Sequence, residues 1–471
     1  MREFDLVVIG SGPAGQRAAI QASKLRKRAC VIEKQEVVGG AAINTGTIPS
    51  KALREAILTL TGPGPAMPTY ADFTAARNAT FAQVMDSCNK VIRSEVELSR
   101  RHLGSNGVEI IRGHARFSGP DTVEVENQGS RTTIKGRSFL IAVGTTPARS
   151  EGIPFDEKTV ITSDEFLHLG FLPHSMIIVG GGVIGTEYAS MMTALGVKVT
   201  LVEGRNRLLD FVDAEIAEAL QYHLRQAGMT LRMGEKVVKI EKVEAPDTAR
   251  SVDRVLAQAT LESGKTLRAD CLLYCIGRQG ATDDLGLDKV GLEADSRGRL
   301  KVNEHFQTER EHIYAAGDVI GFPALASTSM EQGRLAACHA FGRPGQSFAE
   351  LLPFGIYAVP EISMVGWTEE RLTAEGIPYE AGIAQYKEIA RGQLLGDDIG
   401  MLKLLIHQES RHILGVHIIG TGATELVHIG QTAMAFNATV DYFVKTVFNY
   451  PTLAECYKVA ALNGINKLMG V

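Results

Sequence analysis

The chain contains one structural pattern written twice, and this repeat constrains the fold more than any other feature. In the first copy an apolar stretch, residues 4–9, runs into the turn Gly10-Ser11-Gly12-Pro13-Ala14-Gly15. A helix-like stretch follows, and a second apolar stretch ends on Glu33. In the second copy residues 176–179 run into Gly180-Gly181-Gly182-Val183-Ile184-Gly185, and the corresponding acid is Glu203. The acid follows the last glycine by 18 residues in both copies. The pattern predicts two strand–turn–helix–strand units of the same build.

Each position of this unit meets a requirement of a dinucleotide site. The first glycine permits a tight turn, the second lets the backbone approach a pyrophosphate, and the third lets helix and strand pack closely. The helix N-terminus offers N–H groups and partial positive charge to the pyrophosphate, and the acid accepts hydrogen bonds from ribose hydroxyls. Two copies therefore predict two bound dinucleotides. The candidate binding residues are Gly10, Gly12, Pro13, Ala14, Gly15 and Glu33, and Gly180, Gly182, Val183, Ile184, Gly185 and Glu203.

Composition excludes several other classes of protein. The net charge of -5 shows no basic excess of the kind that favours nucleic acid as a partner. No apolar run approaches the roughly 18 residues that a membrane span requires. The N-terminus begins directly on an apolar strand without the features of a secretory signal. The six cysteines are scattered, which indicates small buried hydrophobes in a reducing compartment. We expect a cytoplasmic protein with no membrane or nucleic-acid partner, and no pattern predicts a metal site.

Two later stretches favour FAD as the ligand of the first copy. Residues 140–147 predict a strand that ends in a tight turn at Gly144. Residues 308–318 predict a short strand that ends in Gly317-Asp318. A carboxylate at the end of such a strand can hold a ribityl hydroxyl, since ligands of open α/β sheets bind at the carboxyl ends of strands.

The order of these motifs resembles the flavoprotein disulfide reductase superfamily, which includes dihydrolipoamide dehydrogenase and glutathione reductase, over essentially the whole chain. In that family the segment after the first unit reads Gly-Gly-Thr-Cys-x-Asn-x-Gly-Cys-x-Pro-Ser-Lys. Residues 39–51 keep this frame, but Ala42 and Thr47 replace both cysteines. The family's C-terminal histidine, the acid/base for the dithiol, is replaced by Tyr450, and the tyrosine side chain has a pKa of about 10 in model peptides. The resemblance therefore implies that the dithiol half-reaction is lost and the flavin–nicotinamide half-reaction is kept.

The same resemblance implies roles for further residues. Lys51 and Glu187 match an ion pair beside the flavin ring, where a cation stabilises the reduced flavin. The C-terminal part forms a two-fold homodimer in the family, and the segment at Tyr450 reaches the partner's flavin. The implied cofactor contacts, beyond those of the two turns, are Gly40, Thr45, Gly46, Ser50, Lys51, Ala115, Gly144, Gly277, Gly317, Asp318, Ala326 and Tyr450.

Three segments, residues 46–56, 315–326 and 448–452, are similar to the soluble pyridine nucleotide transhydrogenases of bacteria, some of which keep the first family cysteine. This resemblance implies the reaction NADPH + NAD⁺ ⇌ NADP⁺ + NADH, with FAD relaying hydride in a ping-pong scheme. The alternative enzyme is an NAD(P)H-dependent quinone or dye reductase of the same fold. A flavin-binding redox sensor without enzymatic activity is the alternative of a different class.

The choice between NAD and NADP stays open at this point. Glu203 suits a free 2′-hydroxyl and should repel a 2′-phosphate. Arg205 and Arg207 follow it, and arginine forks suit phosphate geometry. We include Arg205 among the candidate binding residues. The two arginines are equally compatible with a solvated loop.

The fold that these patterns predict is α/β, with two Rossmann-like dinucleotide-binding domains and a C-terminal α+β dimerisation domain. Residues 1–149 and 278–346 form the FAD-binding domain, 150–277 the NAD(P)-binding domain, and 347–471 the interface domain. In the interface domain we expect strands at 358–365, 400–407 and 412–419 and helices at 424–436 and 455–468. A Gly-Pro-Gly-Pro run at 62–65 predicts a turn.

Overall fold

The computed structural model describes residues 1–61, 77–245, 255–343, 348 and 350–470. The chain forms two compact units, each made of three stretches. The first consists of Met1–Ala52, Met85–Arg149 and Gly277–Ala349, and the second of Leu53–Val84, Ser150–Ile276 and Glu350–Val471. The turn predicted at 62–65 and the domain boundary predicted between 346 and 347 lie outside the described residues. Each unit holds one copy of the repeated pattern.

The helices, in chain order, are α1 (Pro13–Lys24), α2 (Gly40–Asn44), α3 (Thr47–Thr61), α4 (Arg77–Ser105), α5 (Ser163–Phe166), α6 (Val183–Ala194), α7 (Ala214–Gln226), α8 (Ala326–Ala340), α9 (Glu369–Ala374), α10 (Ala390–Leu395), α11 (Ala423–Ala435), α12 (Asp441–Lys445) and α13 (Glu455–Leu468). Short 3₁₀ helices span Leu287–Val290, Asp318–Ile320 and Tyr386–Glu388. Among the described helices, none combines the length and the apolar character that crossing a membrane requires.

The strands are β1 (Arg2–Ile9), β2 (Ala29–Glu33), β3 (Glu109–Arg112), β4 (His114–Gly119), β5 (Thr122–Asn127), β6 (Ser130–Ile141), β7 (Thr145–Pro147), β8 (Val160–Ile161), β9 (Ser175–Val179), β10 (Lys198–Glu203), β11 (Thr230–Met233), β12 (Val237–Glu244), β13 (Val255–Leu261), β14 (Thr266–Ala269), β15 (Cys271–Tyr274), β16 (Arg278–Gly280), β17 (Ile313–Ala315), β18 (Phe354–Ile356), β19 (Ile362–Gly366), β20 (Tyr379–Gln385), β21 (Met401–His407) and β22 (Ile413–Ile419).

The first unit is organised around a seven-stranded sheet of order β3-β2-β1-β6-β5-β4, with β17 paired to β6. The pairs among β3, β2, β1, β6 and β17 are parallel, whereas β4 and β5 are antiparallel to their neighbours. On β1, Val7 and Ile9 enter one hydrophobic core and Leu6 and Val8 enter another. Both faces of the sheet are therefore covered, which explains why the apolar run of β1 is continuous instead of alternating.

The second unit repeats this build with a five-stranded parallel sheet of order β11-β10-β9-β15-β8. Ile178 of β9 pairs with Leu201 of β10 on one side and Leu273 of β15 on the other. The units β1–α1–β2 and β9–α6–β10 are thus the two predicted copies. The α/β class with two Rossmann-like units is confirmed.

The second unit also contains the predicted α+β region, a five-stranded antiparallel sheet of order β18-β19-β22-β21-β20 that packs with α11 and α13. The strand predicted at 358–365 begins only at Ile362, since Pro360 has no N–H for the ladder. We missed β18, β20 and the short helices α9, α10 and α12. The strand β20 contains Gly382 and two alanines. Because these residues have low β propensity, the sequence pattern does not predict a strand there.

The strand predicted at 308–318 is also shorter than expected. Only Ile313–Ala315 pairs with β6. Thr308 N–H donates to the Ile313 carbonyl and Ile313 N–H donates to the Arg310 carbonyl, so the chain turns on itself before the strand. Gly317 and Asp318 follow the strand as predicted, and Asp318 begins a 3₁₀ helix.

Candidate functional site

The three glycines of the first turn are required for different reasons. Gly10 has φ of 103°, and a Cβ there would overlap the Ala142 carbonyl oxygen. A Cβ on Gly15 would overlap the Gly10 carbonyl oxygen. Gly12, in contrast, faces open space, since no atom of the described residues lies within 4 Å of a Cβ position there. Because α1 begins at Pro13 and no described side chain caps it, this space adjoins helical N–H groups without a side-chain cap. The turn fits a pyrophosphate.

Glu33, at the end of β2, is held against this turn. Its Oε2 accepts hydrogen bonds from the Ser11 N–H at 3.0 Å and the Ser11 hydroxyl at 2.5 Å, and Oε1 accepts one from the Gln35 N–H at 2.9 Å. The Ser11 hydroxyl oxygen in turn accepts a hydrogen bond from the Gly39 N–H at 2.9 Å. Ser11 therefore ties the acid to the glycine turn and to the start of the next loop.

The second turn has the same geometry within the second unit. Gly180 has φ of 107°, and a Cβ there would lie 2.7 Å from the Cys275 carbonyl oxygen. A Cβ on Gly185 would overlap the Gly180 carbonyl oxygen, whereas a Cβ on Gly182 would have no atom within 4 Å in the part of the chain that the structure describes. Helix α6 begins at Val183, again without a cap from any side chain that the structure describes. This turn also fits a pyrophosphate.

Glu203 differs from Glu33 because an arginine covers its carboxylate. Oε1 accepts hydrogen bonds from the Arg205 N–H and Nε, both at 2.9 Å. Oε2 accepts from the Gly181 N–H at 2.6 Å and from Arg205 Nη2 at 3.0 Å. Burial alone would raise the pKa of Glu203, but the hydrogen bonds from Arg205 and Gly181 outweigh it and lower the pKa. The carboxylate is ionised, and both its oxygens have protein donors.

Both arginines of the following loop are held in ion pairs. Arg205 Nη1 lies 2.5 Å from Asp210 Oδ1, and these contacts with Glu203 and Asp210 raise the pKa of Arg205. Arg207 Nη1 lies 2.9 Å from Glu370 Oε1, and its Nη2 donates to the Asp210 carbonyl at 3.0 Å. Neither arginine is simply solvated.

In the first unit, Asp318 lies at the carboxyl end of β17 in a polar setting. Its Oδ1 is 3.5 Å from the Ser329 hydroxyl. Arg278 lies nearby and donates from Nε and Nη2 to the side chain and the carbonyl of Thr145, both at 2.8 Å. Burial raises the pKa of Asp318, and Arg278, Ser329 and Thr145 act against that shift. A largely buried carboxylate is thus available at the predicted ribityl position.

Two other predicted cofactor residues lie close to the first turn. A Cβ on Gly40 would lie 2.8 Å from the Gly12 Cα, and a Cβ on Gly317 would lie 3.3 Å from the Ala14 Cβ. The remaining predicted cofactor residues of this unit lie after α2 (Thr45, Gly46), in α3 (Ser50), on β4 (Ala115), between β6 and β7 (Gly144), before β16 (Gly277) and at the start of α8 (Ala326).

The segment that carries the redox cysteines in disulfide reductases contains no thiol. Ala42 lies in α2 and is partly buried, and Thr47 begins α3 and is exposed. All six cysteines lie in the described part of the chain, and none forms a disulfide there. Cys88 is buried and donates from Sγ to the Pro49 carbonyl at 3.1 Å. No cysteine pair is available for dithiol chemistry at this position.

The two residues predicted to tune the flavin lie on different helices. Lys51, in α3, donates from Nζ to the Ser50 hydroxyl at 3.2 Å. Glu187, in α6, is 3% exposed, and its Oε1 accepts a hydrogen bond from the Tyr357 N–H at 2.8 Å. The two residues belong to different compact units, and their pairing stays a prediction. Tyr450 is exposed, and its role at a partner's flavin stays a prediction as well.

Three functional candidates were not singled out from the sequence. Ser11 lies inside the glycine turn, and this place in the motif could have identified it. Gln332 accepts the Gly317 N–H at 2.8 Å, but nothing in the sequence links these two residues. Asp210 binds Arg205, and its only signal is its place in the loop after Glu203.

One cluster of carboxylates, formed by Asp213, Glu215 and Glu369, is close enough together to suggest a metal. However, the fully buried Lys403 places Nζ 2.9 Å from Asp213 and 2.9 Å from Glu215, and it also contacts Glu369. The ammonium group already supplies the positive charge that these carboxylates need. We therefore interpret the cluster as an ion-pair network.

Comparison with known proteins agrees with this geometry. Residues 4–333 match the family described as pyridine nucleotide-disulphide oxidoreductase, and residues 352–461 match the dimerisation domain of the same family. A soluble pyridine nucleotide transhydrogenase from Mycobacterium tuberculosis (strain ATCC 25177 / H37Ra) is 52% identical over 470 residues, covering 99% of this chain and 98% of the relative. One from Marinomonas sp. (strain MWYL1) is 45% identical over 471 residues, covering 99% of both.

Two solved structures share the fold over nearly the whole chain. The HOCl-induced flavoprotein disulfide reductase RclA from Escherichia coli superposes with a TM-score of 0.86 at 26% identity, covering 97% of this chain and 99% of that one. LpdA from Mycobacterium tuberculosis gives a TM-score of 0.86 at 25% identity, covering 98% and 99%. The chain belongs to the pyridine nucleotide-disulphide oxidoreductase family, and within it to the group of the soluble pyridine nucleotide transhydrogenases.

Proposed function

We propose that this protein is an FAD-dependent transhydrogenase that moves a hydride from NADPH to NAD⁺, giving NADP⁺ and NADH. The observation that carries this proposal is the presence of two complete dinucleotide-binding turns in a chain whose dithiol segment has Ala42 and Thr47 in place of cysteines. A protein that can bind a flavin and a nicotinamide nucleotide, but has no cysteine pair in its dithiol segment to carry electrons onward, needs a second nucleotide or another soluble acceptor to complete turnover. The relatives named soluble pyridine nucleotide transhydrogenase support the nucleotide as that acceptor.

We assign FAD to the first unit. Gly12 and the uncapped start of α1 would hold the pyrophosphate, Glu33 the adenosine ribose, and Asp318 a ribityl hydroxyl. The open space at Gly12 supports this fit, because any side chain there would occupy the volume that the pyrophosphate needs. Bound FAD would supply the two-electron carrier that accepts hydride from one nicotinamide and returns it to another.

We assign NAD(H) and NADP(H) in turn to the second unit. Gly182 and the uncapped start of α6 would bind the nucleotide pyrophosphate, and Glu203 with Arg205 would face the adenosine ribose. The chain's contribution to hydride transfer is to hold the reacting partners in a productive orientation, which replaces a bimolecular encounter by a positioned one. Lys51 and Glu187 are proposed to tune the flavin from α3 and α6.

The domains divide this work in the proposal. Residues 1–149 and 278–346 hold FAD, residues 150–277 bind the nicotinamide nucleotide, and residues 347–471 form the interface between two subunits. The match of residues 352–461 to the family's dimerisation domain supports a homodimer. We also propose a cytoplasmic location, which the six cysteine thiols support, because disulfides are rare in that compartment.

An anaerobic half-reaction experiment tests the function. The bound flavin is first reduced with one equivalent of NADPH, and NAD⁺, thio-NAD⁺ and quinones are then offered in separate syringes. We expect NAD⁺ and thio-NAD⁺ to reoxidise the flavin and to appear as their reduced forms in equal amount. If only quinones reoxidise it, the protein is a quinone or dye reductase, and the transhydrogenase proposal is wrong.

A further inference from the structure

The loop between Glu203 and α7 is held in one conformation by buried residues. Leu208 and Leu209 are fully buried. The Leu209 N–H donates to the Gly181 carbonyl at 3.2 Å, and the Leu208 N–H donates to Gln221 Oε1 at 3.2 Å. The next residue, Asp210, has a side chain that is 53% exposed. The backbone at Asp210 is therefore positioned by its buried neighbours and by the glycine turn, to which the Leu209 N–H is bonded.

Arg207 also holds Asp210 in position, through contacts that use both of its terminal nitrogens. It holds the Asp210 carbonyl through Nη2 and pairs with Glu370 through Nη1. Glu370 also accepts the N–H of Ala214, the first residue of α7, at 2.9 Å. Arg207 is thus a positioning residue for the loop. Arg205 is the cation that faces the ribose-binding acid.

Arg205 divides its donors between two carboxylates. Nε and Nη2 bind Glu203, and Nη1 binds Asp210. One guanidinium between two carboxylates leaves this group of three side chains with a formal charge of minus one. A ribose 2′-phosphate carries about −1.5 to −2 charges at neutral pH, as a phosphorylated serine does. It would meet a negative group in which each nitrogen of the Arg205 guanidinium already has a carboxylate partner.

We propose that Asp210 is a specificity-determining residue of the nucleotide site, because its carboxylate occupies the Arg205 donor that the 2′-phosphate of NADP(H) requires. This inference rests on the proposed function, in which one site takes both nucleotides. A neutral 2′-hydroxyl needs only an acceptor on Glu203 and leaves the Arg205–Asp210 pair intact. A 2′-phosphate takes the guanidinium from Asp210, which is exposed enough to be hydrated when it is released. Asp210 thereby weakens the binding of NADP(H) without preventing it, so that NAD(H) can compete for the same site.

Binding of nucleotide fragments to the FAD-loaded protein tests this assignment without hydride transfer. Adenosine 2′,5′-bisphosphate and adenosine 5′-monophosphate are titrated calorimetrically into the wild type and into Asp210→Asn. Removing the competing charge should tighten the bisphosphate roughly threefold to tenfold, as expected for one partly exposed ionic contact. The affinity for adenosine 5′-monophosphate should change little. The matched control is Glu218→Gln on α7, which removes an exposed acid that does not pair with Arg205 in the described part of the chain.

A double-mutant cycle shows whether the effect passes through Arg205. In an Arg205→Met background, Asp210→Asn should no longer tighten the bisphosphate. The proposal is overturned if Asp210→Asn has no effect in the wild type, or if the same gain appears with Glu218→Gln or without Arg205. FAD content and thermal midpoint report on folding, and Asp210→Ser replaces Asp210→Asn if the latter loses FAD.

The outcomes separate this inference from the proposed function. If the wild type fails to pass hydride from NADPH to NAD⁺ but Asp210→Asn binds the bisphosphate more tightly, the role assigned to Asp210 stands and the transhydrogenase proposal is wrong. If the wild type transfers hydride but the Asp210 variants bind both fragments as the wild type does, the transhydrogenase proposal stands and the role assigned to Asp210 is wrong.

Discussion

The buried carboxylate of Glu187 accepts a hydrogen bond from the backbone N–H of Tyr357 at 2.8 Å. The residue therefore has a structural contact in addition to its predicted pairing with Lys51. Removing the whole side chain would leave the Tyr357 N–H without this acceptor, so a truncation at position 187 would mix two effects. Glutamine keeps an oxygen for that N–H and removes only the charge.

Lys51→Met should make the bound flavin harder to reduce and slow its reduction by NADPH. Reduction places negative charge on the flavin, and a nearby ammonium in a water-poor site stabilises that charge. Losing one such contact should cost about 1–3 kcal/mol, roughly 10- to 100-fold in rate. Stopped-flow reduction and a redox titration measure both quantities. Nucleotide dissociation constants should hardly change. A normal potential with weakened NADPH binding would instead place Lys51 in the nucleotide site.

Glu187→Gln should leave the fold intact and change flavin reduction in a different way from Lys51→Met. The charge that is predicted to orient Lys51 is lost, whereas the acceptor for the Tyr357 N–H is kept. We expect an unchanged thermal midpoint and an altered flavin potential. A lowered midpoint with an unchanged potential would show that Glu187 serves only the local backbone.

Gly12→Val and Gly182→Val form a matched pair of substitutions. Both glycines have ordinary φ values, −64° and −76°, and neither would place a Cβ within 4 Å of an atom in the described residues, so these residues accommodate a side chain at either position. Gly12→Val should purify without FAD, and Gly182→Val should retain FAD but bind nicotinamide nucleotides weakly. Absorbance of the purified proteins and titration with NADPH measure the two effects. Full flavin retention in Gly12→Val would mean that the first turn does not hold FAD.

The protein should not reduce lipoamide or glutathione disulfide. Ala42 and Thr47 cannot form the thiolate that interacts with an oxidised flavin, and all six cysteines lie outside these positions. Two-electron reduction should therefore produce no long-wavelength charge-transfer band. Such a band, if it disappeared after alkylation of thiols, would reveal an unrecognised redox cysteine.

Lys403→Met should destabilise the second unit strongly at neutral pH. The lysine is fully buried, and the change leaves the buried Asp213 carboxylate without its ammonium partner, a loss of about 3–5 kcal/mol in comparable pairs. Although burial alone would raise it, the pKa of Asp213 is lowered from its usual 3.8 by His417 and Lys403. Burial alone would lower the pKa of Lys403 from its usual 10.5, but the bonds to Glu369 and Asp213 raise it.

The pH dependence of this pair follows from the two directions. A lowered carboxyl pKa gives stability that is present above its usual 3.8 and is lost as the pH falls through the folded value. A raised lysine pKa gives stability that is present below its usual 10.5 and is lost as the pH rises through the folded value. The difference in thermal midpoint between wild type and Lys403→Met should be largest between these limits and shrink in acid. A difference that stayed constant down to strongly acidic pH would exclude the Asp213 contact as its source.

The nucleotide-binding architecture could be predicted from local sequence. Gly10 and Gly180 adopt positive φ, and Gly15 and Gly185 leave no room for a Cβ, so glycine spacing alone marked both turns. The absence of both dithiol cysteines could also be read directly. Strands such as β20 could not, because glycine and alanine in a packed strand carry no local β signal.

The two Rossmann units, their acids and the loss of the dithiol cysteines were predictable from local sequence. Each of them depends on residues close together in the chain and on the steric limits of the backbone. The contacts of each acid, in contrast, depend on the packing of the folded chain. Glu33 is held by a serine, and Glu203 is covered by Arg205. The pairing of Arg207 with Glu370 spans 163 residues, and that of Lys403 with Asp213 spans 190. Such contacts follow from how whole elements pack, and no local pattern along the chain encodes them.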